Sequence, residues 1–204
     1  MNIYSVKLNG EYDDILEQIL YNGLLSGISL DGTKYFYVNP LEINPQTARG
    51  RKDTDHVEPN RRGWFGCACC PPNIARLIAS IAEYIYSYDE DTLVIHQYIS
   101  NKTSLSLNNE SIDFEMRGSY LKDGKVKIDI YLDKSIEFAV KLRVPRWCDG
   151  AVITVNSQPI EISTENGYCK IDRKWQSEDS IEIDFPMQVK IVRSNPKVQT
   201  NAGK

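Results

Sequence analysis

The chain has 204 residues, 41% of them hydrophobic and 25% charged, which is typical of a globular protein of one or two domains. Its net charge of -4 at pH 7 argues against nucleic acid or an anionic membrane as a partner recognised through bulk charge. No stretch approaches the roughly 18 uninterrupted apolar residues that a membrane span needs. We therefore expect a soluble protein with a small or neutral ligand.

The first predicted element is an amphipathic helix. Its apolar stripe follows the helical period and consists of Tyr12, Ile15, Leu16, Ile19, Leu20 and Leu24. A glycine-rich stretch at 26–32 precedes aromatic residues at 35–37, which indicate a short strand or extended segment. Residues 44–63 lack an apolar period and predict a long loop, either a functional rim or a solvated excursion.

A second helix is predicted directly after a cluster of cysteines. Its apolar period comprises Ile74, Leu77, Ile78, Ile81, Ala82 and Ile85. Pro71 and Pro72 suit the first turn of a helix, where a missing amide proton costs little. The cysteines at 67–70 therefore lie just before a helix N-terminus.

From about Thr92 the apolar period changes to two, which predicts half-buried strands. The predicted strands are 93–99, 104–107, 126–132, 136–144, 152–155, 168–171 and 181–185. Asp123-Gly124 and Asn166-Gly167 supply turns. Short strands at this spacing indicate an antiparallel β-sandwich, and the boundary with the helical part is predicted at 87–91.

The five cysteines are unevenly distributed. Cys67, Cys69 and Cys70 lie within four residues, whereas a secreted disulfide framework spaces its cysteines along the chain. The cluster therefore indicates metal binding or a reactive thiol in a reducing compartment. Cys148 and Cys169 stand alone and are predicted to be small buried residues of strands.

The position of Cys69 and Cys70 suits thiolate chemistry, because the helix dipole and exposed amide donors stabilise an anion there. Adjacent thiolates can bind one Zn²⁺, but a closed tetrahedral site needs four ligands. The remaining candidates in this chain are Cys67, His56, His96 and Glu17. From the residues alone, a metal site, a redox or catalytic thiol and inert buried cysteines all stay open.

Several segments, taken in order, resemble glycoside hydrolase family 127, the β-L-arabinofuranosidase family. In the first half they are 17–23, 27–32, 36–41 and the Cys-Ala-Cys-Cys-Pro-Pro-Asn run at 67–73. In the second half they are 142–147, 155–156, 168–175 and 185–187. The resemblance covers nearly the whole chain, and the cysteine-proline run is its most specific part.

The resemblance implies an α+β multidomain fragment, the tail of an (α/α)6 barrel followed by an antiparallel β-sandwich. The implied domains are the C-terminal part of the catalytic barrel at 1–87 and the sandwich at 88–192. Residues 193–204 would form a linker or the truncated start of further β-structure.

The resemblance also implies an unusual retaining glycosidase. Cys69 would be a zinc-bound thiolate nucleophile in place of the usual carboxylate, and Cys70 a zinc ligand beside it. Zn²⁺ would keep Cys69 ionised and later make it an acceptable leaving group. Glu17 and Tyr37 match pocket residues that hold sugar hydroxyls; the alternatives are an exposed helix carboxylate and a core aromatic.

Three neighbours of the cysteines have open roles. Trp64 and Phe65 would stack on a furanose ring or pack under the cysteine loop. Cys67 is expected to be structural or to support the ligands without binding the metal.

The sequence departs from the family pattern upstream. The family's acid/base glutamate, its Glu-x-Cys zinc ligands and its sugar-binding histidines have no counterpart here, so we expect the isolated chain to be an inactive fragment. The expected partner is an arabinofuranose-containing glycan or glycopeptide, with a homodimer of the full-length parent as a further option.

Zinc-thiolate chemistry suits a reducing compartment, so we expect a cytoplasmic location. Two alternatives stay open: a non-catalytic carbohydrate-binding or structural zinc module, and another glycosidase specificity on the same scaffold.

Overall fold

A computed structural model describes residues 8–40, 43–44, 46, 52, 57–67, 69 and 72–199. The chain divides into two compact units. One comprises Met1–Leu16 with Ile81–Gln188, and the other Glu17–Ser80 with Val189–Lys204. Within the described part of the chain, no helix is both long enough and apolar enough to cross a membrane.

The first predicted helix is present and is extended by irregular turns. Helix α1 (Gly10–Gln18) continues as a π-helix (Ile19–Leu24) and a 3-10 turn (Leu25–Gly27). Asn9 precedes helix α1, and the Oδ1 atom of Asn9 accepts a hydrogen bond from the amide of Glu11 at 3.0 Å, as helix-capping side chains do.

The face that helix α1 buries differs from the predicted apolar stripe. Leu20 is buried, but Ile15 is 55% exposed and Tyr12 and Ile19 are also exposed. Asp13 is fully buried instead, because its carboxylate accepts a hydrogen bond from the Tyr168 hydroxyl. Apolar periodicity identified the helix correctly and its buried face incorrectly.

The second predicted helix begins at a proline, as expected. Helix α2 spans Pro72–Ala79. The amide of the next residue, Ser80, donates to the carbonyls of Arg76 and Leu77 at 3.1 Å each. A separate 3-10 turn (Ile81–Tyr84) follows, so the predicted continuous helix to Ile85 is broken. Pro71 lies outside the described residues.

The described residues form eleven strands, which include those predicted from residue 92 onward, although the strand predicted at 93–99 ends at Ile95. In chain order β1–β11 are Tyr86–Tyr88, Thr92–Ile95, Asn101–Leu107, Glu110–Gly118, Lys125–Leu132, Ile136–Arg143, Val152–Val155, Gln158–Pro159, Thr164–Glu165, Tyr168–Trp175 and Ser180–Asp184. One sheet has the order β1-β2-β6-β10-β9, and the other β3-β4-β5-β11-β7-β8. The chain is therefore a mixed α and β structure with two sheets.

Four of these strands, β1, β4, β8 and β9, were not predicted, and neither was a parallel strand pair. Strand β4 alternates Ile112, Phe114 and Met116, all buried, with polar residues, so its signal was present in the sequence. Strands β2 and β6 pair in parallel, whereas the other strand pairs are antiparallel.

The core of the first unit contains side chains from both sheets. Phe114 of one sheet meets Phe138 of the other edge to face, with centroids 6.3 Å apart. Trp175 is fully buried, and its Nε1 donates to the Phe138 carbonyl at 2.9 Å. The indole therefore loses no hydrogen bond on burial.

Both predicted turns are present, but the turn at Asp123-Gly124 is the end of a short helix. Asn166 and Gly167 both have positive φ, 51° and 84°, which suits the two-residue hairpin between β9 and β10. Asp123 ends a short helix, α3 (Tyr120–Asp123), and Gly124 caps that helix in the left-handed region at φ 74°, as glycine commonly does.

Candidate active site around Cys69

The candidate site belongs to the second unit and is built on an extended loop. Backbone bridges join Ile28 to Tyr35 and Tyr35 to Arg62, and the amide and carbonyl of Tyr35 bond those of Arg62 at 3.0 Å. The predicted aromatic segment is thus extended chain outside the named strands. The bridges hold the aromatic segment and the chain that leads to Cys69 side by side.

A tight turn precedes this segment. Oδ1 of Asp31 accepts hydrogen bonds from the Ser29 hydroxyl at 2.5 Å, the Thr33 amide at 3.0 Å and the Thr33 hydroxyl at 2.9 Å. The Ser29 bond first, then those from Thr33, lower the pKa of Asp31 from 3.8 to about 2. The turn is therefore held by an ionised carboxylate.

Two of the predicted site residues meet directly. The Tyr37 hydroxyl lies 2.8 Å from Sγ of Cys69, and the two residues are 32 positions apart in sequence. Cys69 is exposed and Tyr37 is half-buried. The arrangement gives an accessible sulfur atom with a phenol that can donate a hydrogen bond to its thiolate.

An aromatic group supports the Tyr37 ring. The Phe65 ring lies 5.4 Å from the Tyr37 ring and 5.5 Å from the Tyr35 ring, centroid to centroid. Phe65 therefore packs within the loop, as one of its two expected roles required. Trp64 is 68% exposed.

The side chains of Arg61 and Asn39 stabilise the loop. Nη2 of Arg61 donates to the Ser26 carbonyl at 2.5 Å, and its guanidinium lies 4.5 Å from the centroid of Phe36. Nδ2 of Asn39 donates to Oγ of Ser26 at 2.8 Å and to the carbonyl of Gly23 at 3.2 Å. Both ends of the aromatic segment are thus tied to the turns that follow helix α1.

The other predicted residues have different placements. Glu17, in the last turn of helix α1, is buried, so the alternative of an exposed helix carboxylate is wrong. Cys70 lies outside the described residues. Of the predicted site residues, the described contacts bring together Tyr37 and Cys69.

The described residues contain no group of three histidine, cysteine or acidic side chains that could hold one metal ion. Cys67 and Cys69 are exposed, and their sulfur atoms are a soft donor type that suits zinc. His56 lies outside the described part of the chain. Any full set of zinc ligands would need donors beyond those described.

The other histidine candidate, His96, lies in a buried polar cluster of the first unit. Nε2 of His96 lies 2.7 Å from Oγ of Ser87, and Nδ1 lies 2.7 Å from the Tyr168 hydroxyl and 3.4 Å from Oδ1 of Asp13. Both ring nitrogens thus have protein partners, so His96 is not available to a metal. Sequence reasoning missed this cluster, although His96 interrupts an apolar strand run.

The two isolated cysteines are buried. Cys169 lies on β10, and burial raises the pKa of its thiol. Cys148 is also buried but lies in a turn after β6, where its amide donates to the Pro145 carbonyl at 3.0 Å. The prediction of a strand position is therefore right for Cys169 and wrong for Cys148.

Two family models together match most of the chain. Residues 1–83 match the family model described as "Beta-L-arabinofuranosidase, GH127 catalytic domain", and residues 92–187 match "Beta-L-arabinofuranosidase, GH127 middle domain". The first match includes Glu17, Tyr37 and Cys69. The matched class is that of the glycoside hydrolases. The chain belongs to glycoside hydrolase family 127.

Individual relatives cover almost all of the chain. A non-reducing end β-L-arabinofuranosidase of Bifidobacterium longum is 40% identical over 202 residues, 95% of this chain and 30% of the relative. A solved family 127 β-L-arabinofuranosidase from Geobacillus stearothermophilus is 42% identical with a TM-score of 0.89, over 98% of this chain and 32% of the other.

A solved family 127 β-arabinofuranosidase is 35% identical with a TM-score of 0.80, over 96% of this chain and 31% of the other. The chain thus spans only about 30% of the length of the relatives it matches.

Proposed function

We propose that this chain carries the nucleophile of a retaining, non-reducing-end β-L-arabinofuranosidase, and that Cys69 is that nucleophile. The observation that carries the proposal is the contact between the Tyr37 hydroxyl and the exposed Cys69 sulfur at 2.8 Å. Both residues fall in the segment that matches the family's catalytic domain. The proposed substrate is an arabinofuranose-containing glycan or glycopeptide.

The proposed reaction is a double displacement. The Cys69 thiolate attacks the anomeric carbon, so a carbon–sulfur bond forms while the glycosidic carbon–oxygen bond breaks and the leaving oxygen takes a proton from a general acid. A water molecule then gives a proton to the conjugate base of the general acid and attacks the same carbon, the carbon–sulfur bond breaks, and the electron pair returns to sulfur. Two inversions give net retention.

Cys69 and Cys70 are the residues of this chain that would hold a zinc ion. When bound, zinc would keep their thiols deprotonated near neutral pH and make the Cys69 sulfur a better leaving group. The exposed thiol of Cys69 suits such a soft cation. The other ligands would come from residues beyond those described.

Tyr37 has a place in this chemistry that its distance to sulfur supports. Its hydroxyl can donate to the thiolate in the free enzyme, and it can turn to a sugar hydroxyl once sulfur has bonded to carbon. The Phe65 ring limits the movement of the Tyr37 ring. We propose that Glu17 accepts hydrogen bonds from sugar hydroxyls, as in the family pattern.

The complete active site would draw on more chain than these 204 residues, because the chain spans about 30% of its relatives' length. We propose that the general acid and the remaining zinc ligands lie there. We further propose a barrel tail at 1–87, a β-sandwich at 88–192 and a linker or start of further β-structure at 193–204. The clustered cysteines support a reducing, cytoplasmic location.

The nucleophile is tested in the full-length enzyme with an aryl β-L-arabinofuranoside. We expect Cys69→Ser to lower kcat by about 10³-fold or more, since nucleophile removal in covalent catalysis has effects of that order. Cys67→Ser is the matched control, because Cys67 is also an exposed thiol of the same segment. Normal turnover by Cys69→Ser would contradict the assignment.

The incompleteness of the site is tested with the 204-residue chain itself. We expect no turnover of the same substrate, with or without added zinc. Robust activity that disappears in Cys69→Ala would mean that the general acid lies within this chain.

A further inference from the structure

The sheet that begins with β3 carries a polar and aromatic row on its outer face. Ser104 on β3 is the register partner of Asp113 on β4, and Asp113 is the partner of Tyr131 on β5. Such partners have Cβ atoms about 4.5–5.5 Å apart. The Tyr131 side chain is 41% exposed, so part of its ring faces solvent next to a hydroxyl and a carboxylate.

Asp113 differs from the other acidic residues of this face. Glu115 and Asp129, one step along the strands, pair with Lys102 at 3.1 Å and with Arg117, respectively. Asp113 instead accepts a hydrogen bond from the Ser104 hydroxyl at 2.5 Å, and its described contacts include no cation. Its remaining lone pairs can therefore accept hydrogen bonds from a neutral ligand.

These residues line a hollow of about 500 Å³, together with Lys102 and Glu115. A second hollow of about 410 Å³ lies along the same strand and is lined by Ser106, Asn108, Asn109 and the exposed Tyr88. Ser104 and Ser106 are two positions apart and both exposed, so they lie on one face about 7 Å apart. Each hollow thus combines a tyrosine with polar groups.

We propose that this outer face binds a neutral oligosaccharide, with Tyr131 as the stacking platform and Asp113 as the main hydrogen-bond acceptor. The C–H face of a sugar ring packs on an aromatic ring, and its hydroxyls donate to a carboxylate and exchange bonds with serine. Asp113, whose described contacts include no cation, disfavours acidic sugars. The surface goes beyond the proposed catalytic function, since none of its residues belongs to the unit that contains Cys69.

The test is isothermal titration of the 204-residue chain, in a Cys69→Ala background, with a linear arabinopentaose. We expect binding that Tyr131→Ala weakens at least about fivefold, which corresponds to about 1 kcal/mol, because the variant removes the aromatic face on which the sugar ring packs. Tyr131→Phe should retain most of the affinity, since it keeps the ring. Asp113→Ala should weaken binding to a similar extent.

Val152→Ala is the matched control, because Val152 is an exposed side chain on β7 of the same sheet and outside both hollows. Its affinity should equal that of the parent, and equal melting temperatures would show that every variant is folded. Absence of binding, or unchanged affinity in Tyr131→Ala, would overturn the proposal. Because the Cys69→Ala background cannot use the proposed nucleophile, the result is independent of the catalytic assignment.

Discussion

A single carboxylate oxygen organises the turn that leads into the aromatic segment of the candidate site. Oδ1 of Asp31 collects three hydrogen bonds from Ser29 and Thr33. Because Asp31 is exposed, the bonds and not burial set its ionisation. The charge of this carboxylate therefore holds the turn from which Tyr35 and Tyr37 extend.

This turn predicts a pH dependence. The folded-state pKa of Asp31, about 2, is below the ordinary 3.8, so its stabilising effect is complete above about pH 4 and is lost as pH falls through 2. An NMR titration of the Asp31 carboxyl should give a midpoint near 2, and Ser29→Ala should raise it. Ser26→Ala, whose hydroxyl makes no described bond to Asp31, should not; an unchanged midpoint in Ser29→Ala would be contrary evidence.

The buried cluster around His96 gives a prediction about stability. The Tyr168 hydroxyl donates to Asp13 and accepts from Nδ1 of His96, so Tyr168→Phe leaves two fully buried polar groups without that partner. We expect a loss of about 1–3 kcal/mol in the free energy of unfolding by urea. Tyr88→Phe, at an exposed tyrosine, should change it by less than about 0.5 kcal/mol; equal effects would refute this role.

The sequence indicates a chemical type for the candidate site, but it does not indicate the geometry of that site. The cysteine cluster indicates a thiolate site because of its spacing and the prolines that follow it. The contact between Tyr37 and Cys69 joins positions 32 residues apart through loops, and no local period encodes it. The bond between Asp13 and Tyr168 spans 155 residues, so it too could not be predicted from neighbouring residues.

At the scale of elements, strands follow from alternation because each strand has one buried and one exposed face. Strand β6 was predicted for this reason and ends within one residue of the predicted limit. The buried face of helix α1 was not predicted correctly, because polar residues on that face form hydrogen bonds with residues of the strands. Apolar periodicity cannot identify a buried face that is polar.

A substitution of Gly124, which caps helix α3, tests the boundary of that helix. Its φ is 74°, and a Cβ there would lie 2.0 Å from the Phe185 carbonyl oxygen. Gly124→Ala should therefore cost at least about 3 kcal/mol in unfolding free energy, through strain and a backbone shift. Gly150 has φ 82° and no atom within 4 Å of the same position, so Gly150→Ala should cost only about 1–2 kcal/mol. Similar losses at both glycines would show that the clash is relieved.

At the scale of the whole molecule, the two sheets of the first unit share one core, to which each contributes large aromatic side chains. Phe114 and Phe138 connect the sheets, whereas the Phe185 ring contacts Tyr98, Tyr120 and Trp147. The stability of one sheet should therefore depend on the other.

A double-mutant cycle measures this dependence. Phe114→Leu and Phe138→Leu should show a coupling of about 0.5–1.5 kcal/mol in chemical denaturation, as expected for an edge-to-face pair. Phe138→Leu with Phe185→Leu should be additive within about 0.5 kcal/mol. Additive losses for the first pair would mean that the sheets are energetically independent.

The parallel pairing of β2 with β6 has a consequence for synthesis of the chain. Between these two strands the polypeptide passes through β3, β4 and β5 of the other sheet, and β11 is later inserted between β5 and β7. Neither sheet is contiguous in sequence, so a nascent chain on the ribosome holds two unfinished sheets until Trp175 has emerged, and the second sheet stays unfinished until Asp184 follows. Such non-local pairing slows folding, and the exposed edges need protection from aggregation throughout translation.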